Sequence, residues 1–290
     1  MSITLVACAL CGSTALVPFA EAPVGTETLH HAQVRCAACG LVAAQPQADD
    51  EAMRNYYDGA YYGERWTDAA ALHHENRQWH LTDGLPRLEA LWAPFGLGPP
   101  GDAVEIGCGY GGLLAALQSR GWRVRGTEPS AKASAYCASL GLDVRTGFGA
   151  AGLPDESADL AVAWHVLEHV RDPVAFVRML VARVRPGGVV AIGTDAIWIA
   201  QYVVERAWAR VRGRRAPYRT STDHTFVFSP RHLERLLRDA GCDAVRVDSY
   251  SEPPPHESLH WKLYKGSCRS IDRLFGVGEF LLAAGRRGAR

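Results

Sequence analysis

The stretch Val104-Glu105-Ile106-Gly107-Cys108-Gly109-Tyr110-Gly111-Gly112 decides how this chain of 290 residues folds. An apolar run ends at Ile106 and passes directly into a turn rich in glycine. Without a Cβ, a glycine lets the backbone pass close to a ligand and adopt positive φ. A helix predicted near 111–120 then presents unpaired N–H groups to whatever fills the turn. Dinucleotide-binding folds use similar glycines, so the turn alone is weak. Two features set this one apart: Glu105 inside the strand, and the spacing Gly-x-Gly-x-Gly-Gly, which carries one glycine more than the dinucleotide fingerprint requires.

Outward from this turn, short apolar runs alternate with longer helical patterns, the mark of βαβ units that build a parallel sheet covered by helices. Strands are predicted near 103–107, 122–127, 142–146, 159–164, 188–194, 244–250 and 279–284, the last as an edge or hairpin partner. Helices are predicted near 111–120, 130–140, 172–184 and 230–240. The expected fold is α/β: a Rossmann-like sheet of seven strands, mostly parallel with the last antiparallel, over residues 99–290. An aromatic-rich helical connector, 46–98, precedes it and contains Tyr56-Tyr57 and Tyr61-Tyr62. An insertion at 195–228 is longer than a simple connection needs, and long insertions at a cleft are often lids.

These residues, from about 102 to 285, resemble the class I S-adenosylmethionine-dependent methyltransferase superfamily. The resemblance implies that Glu105, Gly107, Gly109, Tyr110 and Gly111 face the donor's amino acid and ribose. It also implies that Glu128, in Arg125-Gly126-Thr127-Glu128-Pro129-Ser130, accepts from the ribose hydroxyls, with Pro129 beside it. Gly147-Phe148-Gly149 resembles the loop on the adenine side, with Phe148 near the place of the family's acid, so stacking and backbone groups are expected to recognise the base. Trp164 and His165 end the fourth strand at the cleft.

Methyl transfer displaces an already electrophilic sulfonium in line, so positioning the acceptor accounts for much of the rate, and a hydroxyl acceptor can need a base. His165, Glu168 and His169 fall at i, i+3 and i+4, a spacing that puts them on one helical face. The triplet resembles the acid and histidine cluster of ubiquinone-biosynthesis O-methyltransferases, where it is linked to a divalent ion; His165 stands where those enzymes carry glutamate. His165, His169 and His224 are the candidate bases, each weighed against a packing role.

Cys8-Ala9-Leu10-Cys11 and Cys36-Ala37-Ala38-Cys39 form two C-x2-C pairs. Four thiolates make a closed structural zinc site. The predicted zinc-binding module covers 1–45 and resembles the segment that precedes methyltransferase domains in sugar and natural-product pathways. Cys108, Cys137, Cys242 and Cys268 are isolated and read as small core or surface residues.

Lys plus Arg equals Asp plus Glu at 31 each, so no overall field concentrates nucleic acid or an anionic membrane. An rRNA base methyltransferase is the alternative enzyme reading, disfavoured because Arg35 is the one Lys or Arg between residues 1 and 53. A partner-recruiting or donor-binding protein without catalysis is the other alternative; it would have a degraded glycine turn. The start of the sequence has no basic region before its apolar run, and a cytoplasmic location is expected. The expectation is an enzyme of EC class 2.1.1 that uses S-adenosylmethionine, releases S-adenosylhomocysteine and carries structural zinc. It acts on an O or N atom of a small biosynthetic metabolite. Arg206 to Arg219 would suit an acceptor with an anionic handle or one bound to a carrier protein.

Overall fold

The computed structural model describes residues 2–21, 32–57, 59, 61–62, 67–196, 211–213, 224–251 and 278–289. Most of the insertion expected as a lid, including Arg206, Arg210, Arg214, Arg215 and Arg219, lies outside these residues.

The N-terminal region is built from short strands: β1 (Ser2–Ile3), β2 (Leu16–Glu21), β3 (Ala32–Cys36), β4 (Val42–Ala44) and β5 (Gln47–Ala48). Three helices follow, α1 (Asp50–Tyr56), α2 (Ala69–Trp79) and α3 (Leu85–Trp92), the last two joined by a π-helical turn, His80–Gly84. The α/β part runs through β6 (Asp102–Ile106), α4 (Gly112–Ser119), β7 (Arg123–Glu128), α5 (Ala131–Ser139), β8 (Val144–Thr146), β9 (Ala158–Trp164), α6 (Pro173–Arg183) and β10 (Val184–Asp195). It ends with β11 (Phe226–Val227), α7 (Pro230–Asp239), β12 (Cys242–Tyr250) and β13 (Phe280–Arg287).

Seven strands form one sheet in the order β12-β13-β10-β9-β6-β7-β8. β13 runs antiparallel to both of its neighbours, and the β10-β9-β6-β7-β8 pairs are parallel. The fold class and the seven strands follow the sequence reading: of the two places expected for the last strand, edge or hairpin partner, β13 takes the second, pairing antiparallel with β12, which forms the edge. Their patterns give the reason. Phe280-Leu281-Leu282-Ala283-Ala284 is a continuous apolar run, as a strand buried on both faces requires. Cys242–Tyr250 alternates apolar with polar residues and leaves one face half-covered.

Period-two alternation splits the sheet's side chains into two cores. Val104, Ile106, Ala161, Ala163, Val190, Ile192, Leu281 and Ala283 face α6 and α7, together with Cys8, Leu10, Cys36 and Leu41 of the N-terminal region. Ala103, Leu160, Val162, Val189, Ala191, Leu282 and Ala284 face α3 and α4 through Leu85, Leu88, Trp92, Leu113 and Leu117. Burying each such Leu stabilises the fold by about 2 kcal/mol. Helix starts are chemically marked: Asp172 caps α6 by accepting from Ala175 N–H at 2.8 Å, with Pro173 in the first turn, and Ser130 caps α5. Among the described residues, no helix is long and apolar enough to cross a membrane.

Candidate active site

Parallel strands end side by side at the same edge of the sheet, so the C-terminal ends of β6, β7, β9 and β10 converge on one cleft. The cleft encloses about 780 Å³. Of the residues expected to hold the donor, Glu105, Gly107, Gly109, Tyr110, Glu128, Pro129, Phe148, Gly149, Trp164 and His165 line it. Gly111 does not. A Cβ there would lie 2.7 Å from Leu142 Cδ1 and 3.0 Å from Cys137 Sγ, so this glycine permits packing of the turn, not ligand approach.

Gly107 and Gly109 adopt φ of +74° and +54°, the left-handed region that glycine tolerates. A Cβ on Gly107 would meet Val166 Cγ2 at 2.7 Å. The turn is pinned to β7 where Gly107 N–H and Cys108 N–H both donate to Thr127 O. Glu128 is buried, and each carboxylate oxygen accepts one backbone N–H at 2.9 Å, Oε2 from Gly109 and Oε1 from Ser130. This pair of bonds fixes the Glu128 carboxylate at the end of β7, on the wall of the cleft. Glu105 is 3 % exposed, and its Oε2 has no hydrogen-bond partner among the described residues. Burial, followed by the neighbouring Cys137 and Glu128, pushes its carboxyl well above the ordinary range. An orphaned buried carboxyl oxygen at a cleft suits a cationic ligand group such as an amino acid's ammonium, whose charge would favour the ionised form.

The second half of the cleft is organised around Glu168. The segment after β9 is a turn, so His165, Glu168 and His169 do not share a helical face as their spacing suggested. His165 sits at φ +51°, an uncommon conformation for a residue other than glycine. This bend brings its Nδ1 to 2.9 Å from Glu168 Oε1 and 3.4 Å from Asp195 Oδ1. Glu168 is fully buried, and Thr194 Oγ1 donates to its Oε2 at 2.7 Å. Burial opposes its ionisation, but the hydrogen bond from His165 and the neighbouring His169 and His224 hold its carboxyl well below the ordinary range. An ionised carboxylate can only accept, so His165 Nδ1 carries the proton.

His169 lines the cleft, whereas His224 is buried behind it, with the two rings 4.8 Å apart and His224 Nδ1 3.4 Å from Asp195 Oδ2. Two triads share Glu168: its ligand atoms lie within 4.8 Å of those of His169 and His224, and likewise of His165 and Asp195. Sequence spacing missed Asp195, which ends a different strand. It also missed His80. That ring lines the cleft against Trp164, with centroids 5.1 Å apart, and burial, reinforced by His165, pushes its pKa down to about 3. The π turn that places it, a feature often found at functional sites, leaves no mark in the sequence.

Cys8, Cys11, Cys36 and Cys39 have their sulfurs within 4.8 Å of one another, with Cys8–Cys39 and Cys11–Cys36 at 3.6 Å. A tetrahedral ion with Zn–S bonds of about 2.3 Å spaces its sulfurs by about 3.8 Å. The donor set therefore fits zinc.

Residues 72–247 match the family described as Methyltransferase domain. A ubiquinone biosynthesis O-methyltransferase of Methylocella silvestris is 33% identical over 214 residues, covering 63% of this chain and 78% of that protein. One from Cupriavidus pinatubonensis is 28% identical over 218 residues, covering 72% and 84%. Among solved structures, phosphoethanolamine N-methyltransferase 2 of Haemonchus contortus in complex with S-adenosyl-L-methionine aligns with a TM-score of 0.54 at 14% identity, over 85% of this chain and 63% of that one. A complex of the Haloferax volcanii Trm112 methyltransferase activator with a methyltransferase gives 0.55 at 19%, over 82% and 98%. At these identities the structural matches show the fold; the family match spans more than half of the chain. The chain belongs to the class I S-adenosylmethionine-dependent methyltransferases.

Proposed function

We propose that the protein transfers a methyl group from S-adenosylmethionine to a hydroxyl oxygen of a small metabolite, with His165 as the base. The observation that carries this reading is the bond between His165 Nδ1 and the ionised, buried Glu168. It fixes one tautomer and leaves Nε2 as the ring nitrogen that can take a proton, while the carboxylate stabilises the imidazolium that results. Such a base contributes about 10²–10⁴-fold.

Bound S-adenosylmethionine supplies a methyl group on an electrophilic sulfonium. Glu105 would neutralise its ammonium and Glu128 would accept from its ribose, while Phe148 and Gly149 flank the base. The acceptor hydroxyl would give its proton to His165 as its oxygen takes the methyl group, and the donor would leave as S-adenosylhomocysteine. Trp164, His80, Tyr57 and Tyr61 would wall the acceptor side with rings, and Arg171 also lines the cleft. The oxygen preference is supported by the relatives that are O-methyltransferases. Cys8, Cys11, Cys36 and Cys39 would hold structural zinc.

The test is to incubate the protein with S-adenosylmethionine and a panel of hydroxylated and aminated metabolites, and to measure S-adenosylhomocysteine release. Turnover on hydroxylated compounds that falls about 100-fold or more in His165→Asn, with donor affinity retained, supports the reading. Turnover confined to amines, or unchanged by His165→Asn, contradicts it.

A further inference from the structure

We infer that the cysteine module is a positioning element of the catalytic centre, holding β11 and through it the Glu168 hub, with His232 as the residue that ties the knuckle to the methyltransferase core. The inference rests on the zinc reading above and on hydrogen bonds between the two parts. β11 belongs in sequence to the methyltransferase part, yet its sheet is that of the module, in the order β11-β4-β3-β2. Phe226 and Val227 pair with Ala43 and Val42, and Ala44 N–H donates to Thr225 O at 2.8 Å. β4 starts directly beyond the second cysteine pair, whose turn closes with Cys36 N–H donating to Leu41 O at 2.9 Å.

On its other side β11 grips the hub. Thr225 N–H and Phe226 N–H donate to Glu168 O at 2.7 and 3.0 Å, and Thr225 Oγ1 donates to His169 O at 3.2 Å. His224, directly before β11, stands against His169 and Asp195. Strand β11 thus bridges the module to the backbone of Glu168, whose carboxylate meets the proposed base, and of His169 beside it, and does so in two residues of strand. Such a short strand has too few ladder bonds to hold itself, so its place depends on what flanks it.

His232 supplies the second tie. It is 4 % exposed, its Nδ1 accepts from Ser229 N–H at 3.1 Å, and its Nε2 therefore carries the proton and donates to Cys39 O at 2.9 Å. Both nitrogens are used: one closes the α7 capping box, and the other holds the backbone of a cysteine in the proposed zinc site. Phe226 and Phe228, fully buried with Cys8, Cys36 and Leu41, seal the contact. The donor half is not part of this path, since Glu105, Glu128 and the glycine turn are held by β6 and β7.

The test uses the full chain with its metal content measured, and follows amide hydrogen exchange. His232→Phe removes the donor to Cys39 O and keeps the volume, and His232→Gln restores a donor. Thr225, Phe226 and Val227 amides are expected to exchange about tenfold faster in His232→Phe, with zinc content, donor affinity and the β6 and β9 amides unchanged, and to recover in His232→Gln. Chelating zinc from the wild-type chain is expected to expose the same three amides, and adding zinc back to protect them; this measurement stands if His232→Phe does not fold. Unchanged exchange at Thr225 to Val227 on chelation and in His232→Phe overturns the inference. So does an equal loss of protection in β6 and β9, which would mark general destabilisation. A chain purified without zinc contradicts the zinc reading itself and is distinguishable by metal analysis.

Discussion

The two halves of the cleft are built on opposite plans. The donor half comes from a single continuous stretch: Glu105, the glycine turn and Glu128 lie within two strands and the helix between them, and the turn is fixed by Thr127 O and the Glu128 carboxylate. The half proposed to carry the chemistry is assembled from distant segments. Glu168 gathers His165 from its own turn, Thr194 and Asp195 from the end of β10, His224 and Thr225 from before β11, and through β11 the N-terminal module. A local site can be perturbed without disturbing the rest of the fold. An assembled site couples chemistry to stability, because the carboxylate bonded to the proposed base is also a fully buried charge.

The sharpest way to break this contrast is Glu168→Ala. Removing a buried carboxylate leaves His165 and Thr194 without their acceptor and is expected to cost about 3 kcal/mol of stability, measured by urea unfolding. Donor affinity in the folded fraction is expected to change less than twofold. A large loss of donor binding with normal stability would reverse the assignment of roles. The same residue sets a pH dependence. Its folded pKa lies below the ordinary Glu value of 4.5. The stabilisation it contributes is therefore complete above that value and is lost as pH falls towards the folded one. Urea midpoints between pH 3 and 6 (about the accessible range) should show an acid-side slope that Glu168→Gln reduces. An unaltered slope would mean that Glu168 titrates normally.

Glu128→Ala is the complementary break. It removes the acceptor of two charge-assisted backbone bonds and the proposed acceptor for the ribose hydroxyls, and is expected to weaken donor binding by about 50-fold with a stability loss near 1 kcal/mol. The calorimetric Kd checks it, and a change under threefold would contradict the assigned contact. Smallest is Tyr62→Phe. The Tyr62 hydroxyl reaches the turn at Gly109, where an added Cβ would lie 3.4 Å away, and its ring packs on Tyr110 at 5.3 Å. Losing the hydroxyl alone is expected to weaken donor binding about threefold. An effect as large as that of Glu128→Ala would make the tyrosine cluster a principal donor contact.

The difference between the halves also explains what could be read in the sequence. The donor turn was legible because its demands are local: left-handed φ at Gly107 and Gly109, and an acid ending the next strand. The sheet was legible because a buried stretch of strand such as Leu160 to Ala163 in β9 reads as an unbroken apolar run. Edge and hairpin partner were both left open for β13, although its apolar run, unlike the alternation in β12, already favours the inner place beside β12. His165, Glu168 and His169 were found, but helical spacing gave them the wrong geometry, since His165 at φ +51° ends the regular backbone. Asp195 and Thr194 were missed because nothing local in β10 shows that parallel pairing with β9 places its end beside Trp164 and His165; His165 N–H bonding to Gly193 O fixes that register. The bridge from the cysteine module through β11 joins residues more than 180 positions apart, such as Ala43 and Phe226. Two residues of strand carry no periodicity that could announce such a pairing.

The most direct test of the account is calorimetric titration of the full chain with S-adenosylmethionine and S-adenosylhomocysteine, beside Glu128→Ala. The account predicts one site per chain with a Kd on the order of 10 μM or tighter for the native protein, and clearly weaker binding by the variant. Absence of binding to either compound by folded native protein would contradict it, and would mean that the glycine turn between β6 and α4 serves another ligand.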